Sequence, residues 1–164
     1  MSEFSRPLPI GLVGPTGRHE VLEADAAERM ALAARFGIPA IARLRAELEL
    51  VAETDGSVVA RGRMLAEVTQ DCVVTLEPVA QAIDEAVALR FLPPGREPAD
   101  GPEDMDEIPT GPGGVADLGE AIAEQLSLAL DPYPRAEGAE LPAEATEPVA
   151  NPFAALAALR RPRH

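Results

Sequence analysis

The sequence predicts an α+β fold: an antiparallel sheet built around a long hairpin, with a few helices packed on it and acidic segments left disordered. Three observations predict it. Two stretches of apolar–polar alternation, about 42–53 and 57–69, flank an Asp-Gly turn. Helix-capping patterns open at Asp25 and Asp117. Pro, Gly and acidic residues concentrate between and after these elements. The resulting division is an α+β core at 1–93, an acidic Pro/Gly linker at 94–114 and a core-packing helix at 115–131. A disordered linker at 132–150 and a short helix with a basic tail at 151–164 follow.

Residues 3–10 and 18–24 read as a weak hairpin about the turn Gly14-Pro15-Thr16-Gly17, with Pro7 and Pro9 confining the first strand to a sheet edge. Asp25, three residues before Glu28, forms a capping-box pattern and opens a helix through about Phe36. Gly37 is placed to end it, with Pro39 beyond.

In the long hairpin, Leu44, Ala46, Leu48, Leu50 and Ala52 alternate with Arg43, Arg45, Glu47, Glu49 and Glu53, and Val58, Ala60, Gly62, Met64, Ala66 and Val68 alternate with Arg61, Arg63, Glu67 and Thr69. A two-residue Asp55-Gly56 turn would set even numbers against odd and mix the faces. A three-residue loop, Thr54-Asp55-Gly56 with Gly56 left-handed, pairs Leu50 with Ala60, Leu48 with Gly62 and Ala46 with Met64. It also sets Glu49 opposite Arg61, Glu47 opposite Arg63 and Arg43 opposite Glu67 as cross-strand ion pairs, and is preferred for that reason. Residues 79–92 suit either a strand (Val79, Ile83, Val87, Leu89, Phe91 on one face) or a helix. Residues 94–114 are read as too polar to pack. Asp117 and Glu120 repeat the capping-box spacing before an apolar stripe of Leu118, Ile122, Leu126, Ala129 and Leu130. Asn151-Pro152-Phe153 reads as N-cap, first-turn proline and helix start, with Arg160 and Arg161 near the C-terminal dipole. A helix that short needs something to dock on.

The chain has 164 residues and net charge −14, with arginine as its only basic type apart from two histidines. The charge is uneven. Residues 1–96 hold 14 acids and 10 arginines, residues 97–147 hold 14 acids and one arginine, and residues 148–164 hold three arginines and no acid. Such a surface repels phosphate and favours a basic protein partner. A single cysteine excludes an internal disulfide framework. The first residues lack a signal-peptide pattern and no apolar run has membrane-spanning length, so cytoplasm is expected and no membrane partner is.

Candidate chemistry is sparse. Cys72, His19 and His164 are too scattered to suggest a metal or nucleophile–base set. The run Glu103-Asp104-Met105-Asp106-Glu107 lacks the ligand alternation of a calcium loop and reads as solvated linker or acidic docking strip. Gly111-Pro112-Gly113-Gly114 lacks the Lys-Ser/Thr of a phosphate loop. No catalytic residue, cofactor or metal is expected.

Three stretches together carry specific information. Cys72-Val73-Val74-Thr75-Leu76-Glu77-Pro78 follows the hairpin. Val115-Ala116-Asp117-Leu118-Gly119-Glu120 runs on through Glu124-Gln125-Leu126-Ser127-Leu128-Ala129-Leu130-Asp131-Pro132. Asn151-Pro152-Phe153-Ala154-Ala155-Leu156-Ala157-Ala158-Leu159-Arg160 lies near the end. In order and spacing they resemble the YceD family, the large ribosomal RNA subunit accumulation proteins. That family's first motif is Cys-x-Arg-Cys-Leu-Glu-Pro; here Val74 stands for its Arg and Thr75 for its second Cys, so a cysteine pair is not available to this chain. The resemblance implies an α+β domain, tips 79–92 toward a strand, and implies a role in large-subunit biogenesis. The implied partner is a large-subunit ribosomal protein or the precursor large subunit, with direct rRNA contact disfavoured by charge. Candidate partner-binding residues are Asp117, Glu124, Asn151, Pro152, Phe153, Leu156, Leu159 and Arg160; Cys72, Leu76, Glu77 and Pro78 form the family motif. Two alternatives are a thiol-dependent enzyme using Cys72 and an acidic protein-binding module unrelated to ribosomes.

Overall fold

The computed structural model describes residues 2–99 and 105–138. The expected C-terminal helix, with Asn151, Pro152, Phe153, Leu156, Leu159 and Arg160, lies outside the described residues, as does most of the 132–150 linker.

The long hairpin is the frame. Strands β3 (Ala40–Ala52) and β4 (Val58–Asp71) pair antiparallel in the register of the three-residue loop: Leu50 opposite Ala60, Leu48 opposite Gly62, Ala46 opposite Met64. Gly56 adopts φ 90° and donates to the Glu53 carbonyl at 3.2 Å, while Glu53 N–H closes on the Ser57 carbonyl at 2.8 Å. A one-residue slip from this register would set apolar against polar, because side chains alternate with period two. Near the far end, a register shift between Ile41 and Arg43 interrupts the ladder. Gly62 is required by close approach: a Cβ there would overlap the Glu47 carbonyl on β3.

The ambiguous segment is a strand. β5 (Pro78–Leu92) pairs with β4 along its whole length, which buries Ile83, Val87, Leu89 and Phe91 on the hairpin's apolar face. β2 (Arg18–Glu23) adds to the other side of β3. The five-stranded sheet is completed by β6 (Asp106–Pro109), parallel to the end of β5, giving the order β2-β3-β4-β5-β6.

Two expectations are corrected. Residues 3–10 and 18–24 do not form a hairpin. β1 (Pro7–Pro9) instead pairs with β7 (Val115–Asp117) in a separate two-stranded sheet, and β2 takes the free edge of β3. Pro7 and Pro9 have no N–H to donate, so β1 offers a poor ladder, whereas β3 offers β2 six paired positions with Leu22 facing the core. The 94–114 span is not wholly unpacked either. Its Asp106–Pro109 stretch finds backbone partners on β5, and Ile108 packs against the core.

Both helices follow their caps. Helix α1 (Ala26–Phe36) has a full capping box, with Asp25 accepting from Glu28 N–H and Glu28 accepting from Asp25 N–H, each at 2.8 Å. It stops at Gly37, φ 66°. Helix α2 (Leu118–Ala129) buries Leu118, Ile122 and Leu126. α1 packs on β3 and α2 on β4 and β5, forming one cluster with Phe4, Leu8 and Ile10 of the N-terminal segment. Arginines join these pieces. Arg6 grips Glu28 through two bonds of 2.7 and 3.0 Å, and Arg35 links α1 to Glu120 of α2 at 2.8 Å and to Glu3 at 3.1 Å.

The outer face of the sheet carries charge, but not in the expected pairs. Glu47 bonds Arg45, Arg63 bonds Asp84 of β5 and Glu49 bonds His19 of β2, rather than Glu47–Arg63 and Glu49–Arg61. Exposed pairs differ from one another by less than about 1 kcal/mol, so register neighbours need not become ion-pair partners.

Candidate functional site

The first candidate place is the turn from β4 to β5, where the Cys72–Pro78 motif lies. Cys72 N–H donates to the Glu77 carbonyl at 2.8 Å and its carbonyl accepts from Leu76 N–H at 2.9 Å, closing a compact loop. Leu76 is forced to φ 61°, the sole non-glycine at positive φ among the described residues, and its side chain projects into solvent. Cys72 is buried. Its sulfur accepts from Val74 N–H at 3.4 Å and Thr75 N–H at 3.5 Å. The Thr75 hydroxyl first, then the backbone N–H of Ala136, stabilise the thiolate and bring the thiol down to about 7. Thr75 therefore acts as the sulfur's hydrogen-bond donor at the place where the YceD motif has its second cysteine.

This turn meets the chain leaving α2. Val73 N–H donates to the Pro134 carbonyl at 2.8 Å, and the Gln70 amide donates to the Asp131 carbonyl at 2.9 Å. Asp131 N–H reaches the Gln81 side chain at 3.4 Å. The first motif and the end of the second, distant in sequence, are thus clasped by backbone and amide bonds. Gln70 was missed by sequence reasoning, yet its signal was present: a polar residue at an even, core-facing position of β4.

The second candidate place is the start of α2. Asp117 caps the helix by accepting from Glu120 N–H at 3.2 Å; it also accepts from Arg6 N–H at 2.8 Å and the Ser5 hydroxyl at 2.7 Å. The capping box is only half formed, because the Glu120 carboxylate is taken by Arg35 and Ser2. The Arg35 guanidinium accordingly holds Glu120 below the usual carboxylate range. Of the candidate residues, Cys72 and Asp117 are held inward, whereas Leu76, Glu77, Pro78 and Glu124 are exposed. Leu128 and Tyr133 are also exposed and were missed; Leu128 lies off the stripe that buries α2, which is the signal that marks it.

Among the described residues, no group of three or more His, Cys, Asp or Glu could hold a metal ion, and no helix is long and apolar enough to cross a membrane. A recess of about 450 Å³ between α1 and the start of β3 is lined mainly by Ala26, Met30, Ala33, Ile38 and Ile41. Its one charged residue, Arg29, is engaged with the Ala24 carbonyl at 2.7 Å. None of these places sets a nucleophile beside a base.

Residues 60–160 match the family described as large ribosomal RNA subunit accumulation protein YceD. The chain belongs to the YceD family. No curated protein and no solved structure matches it. The matched span begins within β4 and takes in the clasped turn, α2 and the C-terminal stretch. Two of the three YceD motifs therefore sit in the described fold, joined to each other.

Proposed function

We propose that this YceD-family protein is a non-enzymatic factor in large ribosomal subunit biogenesis, and that it supports accumulation of large-subunit ribosomal RNA by binding a basic ribosomal protein or the precursor subunit. The observation that carries the reading is the family match over residues 60–160. The charge distribution supports its mechanism. The acidic stretch 97–147, with 14 acids and one arginine, suits the shielding of a basic ribosomal protein before it meets RNA. The apolar residues Phe153, Leu156 and Leu159, with Arg160, would then supply an anchor. Direct rRNA contact through the hairpin is less well supported, since Arg63 is already bonded to Asp84 at 2.7 Å. Deleting residues 97–112 should weaken binding to a basic partner; unchanged affinity would remove the shielding role. Binding that does not weaken as salt rises would exclude a phosphate-driven contact.

The thiol-enzyme alternative rests on Cys72 alone. The sulfur is buried and faces backbone donors from its own turn and from Ala136. Full complementation of a deletion strain by Cys72→Ala would dispose of it.

A further inference from the structure

β5 is a long strand with a short neighbour. Its register with β4 runs unbroken from Val58–Phe91 to Asp71–Pro78. On its other side, β6 covers only Leu89–Leu92. Among the described residues, no strand pairs with that side from Pro78 to Ala88.

The direction of the unpaired groups can be read from the ladder. Cys72 N–H bonds the Glu77 carbonyl, and Glu53 N–H bonds the Ser57 carbonyl. The first makes odd-numbered β5 residues face β4; the second makes odd-numbered β4 residues face β3, which agrees. The Thr110 hydroxyl reaches the Leu92 carbonyl at 2.6 Å, placing an even-numbered group on the β6 side. Ala80, Ala82, Asp84 and Ala86 therefore turn their N–H and C=O groups outward. Three of the four are alanines, and no lysine or internal proline shields this edge.

Helix α2 overhangs the same edge. Gln125 bonds Asp106 of β6 at 3.0 Å, and Asp131, just past the helix, reaches Gln81 of β5. The helix thus runs back along β5 from its paired end toward its open end. Between them lies a groove of about 180 Å³ lined by Met64, Glu85, Val87, Gln125, Leu128 and Ala129. Leu128 is 77% exposed. Glu85 and Glu124 are also exposed, and α2 carries no basic residue.

We propose that the open edge of β5 from Ala80 to Ala86, with the groove beneath α2, is the docking site of an extended, arginine- or lysine-bearing segment of a partner protein. This deepens the function proposed above and rests on it. Backbone bonds to the even-numbered residues hold the segment, Leu128 takes an apolar side chain, and Glu85 and Glu124 select for cations. A second copy of this chain fits poorly, since antiparallel pairing centred on Asp84 would set that carboxylate against its own counterpart.

The test uses the full chain and two synthetic peptides, one alternating Arg and Val, the other Glu and Val. Residue-resolved hydrogen exchange should show the Ala80, Ala82, Asp84 and Ala86 amides exchanging fast in the free protein and slowing about tenfold or more with the Arg–Val peptide only. Ala86→Pro removes one outward N–H and spares the β4 ladder, so peptide affinity should fall about tenfold at an unchanged circular-dichroism spectrum. Ala82→Pro provides a second variant, and Glu85→Arg should weaken binding without altering the free protein's exchange pattern. The proposal is overturned by even-numbered amides already protected in the dilute free chain, or by protection that follows protein concentration rather than peptide. Equal protection by both peptides, or by neither, also overturns it. A failed edge test beside a large-subunit shortage on gene deletion would leave the function standing and move the docking surface elsewhere.

Discussion

Asp117 was read from sequence as a partner-binding candidate, and its geometry makes a sharp prediction about what it does in the free protein. Its carboxylate caps α2 through Glu120 N–H and holds Arg6 N–H and the Ser5 hydroxyl of the N-terminal segment. Asp117→Ala removes the cap, worth about 1 kcal/mol. It also strands the Arg6 amide, whose bond to a charged acceptor is worth about 1.5–3 kcal/mol. The exposed Ser5 hydroxyl can turn to water and adds little. The expected loss is about 2.5–4 kcal/mol, a fall in Tm on the order of 10 °C for a domain of this size. Asp117→Asn keeps an oxygen for both backbone donors, and Asn caps as well as Asp; it should lose less than about 1 kcal/mol. Urea unfolding followed by circular dichroism measures both. An Ala variant within about 0.5 kcal/mol of wild type, or an Asn variant as damaged as Ala, would refute this account of Asp117.

Gly62→Ala should be far more damaging than an ordinary strand substitution, at about 3 kcal/mol or more, because its Cβ would meet the Glu47 carbonyl of β3; soluble yield and the urea midpoint report it. Acid should destabilise the protein through Glu28 and Glu120. Arg6 lowers the first and Arg35 the second, so their stabilisation is complete above the unfolded-state value near 4.5 and is lost as pH falls through the lower folded values. Urea midpoints between pH 3 and 7 should follow that slope, and Glu120→Gln should flatten it. Cys72 acts in the same sense at higher pH. Its thiol is brought from 9.0 to about 7, so stability should rise between those values and not in Cys72→Ala.

What the sequence revealed follows interaction range. The hairpin register was readable because a one-residue slip would turn the apolar set of one strand, 44–50 or 58–68, to the charged face. The α1 boundaries were readable because Asp25, Glu28 and Gly37 act within a few residues of themselves. The pairing of Pro7–Pro9 with Val115–Asp117 was not readable, since it joins two short strands a hundred residues apart whose own patterns carry almost no preference. β6 was hidden for a related reason: Asp106–Pro109 looks like linker until β5 supplies it with backbone partners. The YceD motifs marked Cys72–Pro78 and Asp117–Asp131 as important, but motif position did not separate inward residues from outward ones. Asp117 and Cys72 serve their own chain's hydrogen bonds, whereas Leu76 and Glu124 face solvent. The ion pairs were set by side-chain reach. Arg63 had Glu47 opposite on β3 and took Asp84 on β5.

The central claim is a role in large-subunit biogenesis by binding, and a sucrose-gradient profile of cells with and without this protein tests it most directly. The account predicts a shortage of large subunits on deletion, with tagged protein sedimenting with free or precursor subunits. An unchanged profile, with the protein confined to the top of the gradient, would contradict it.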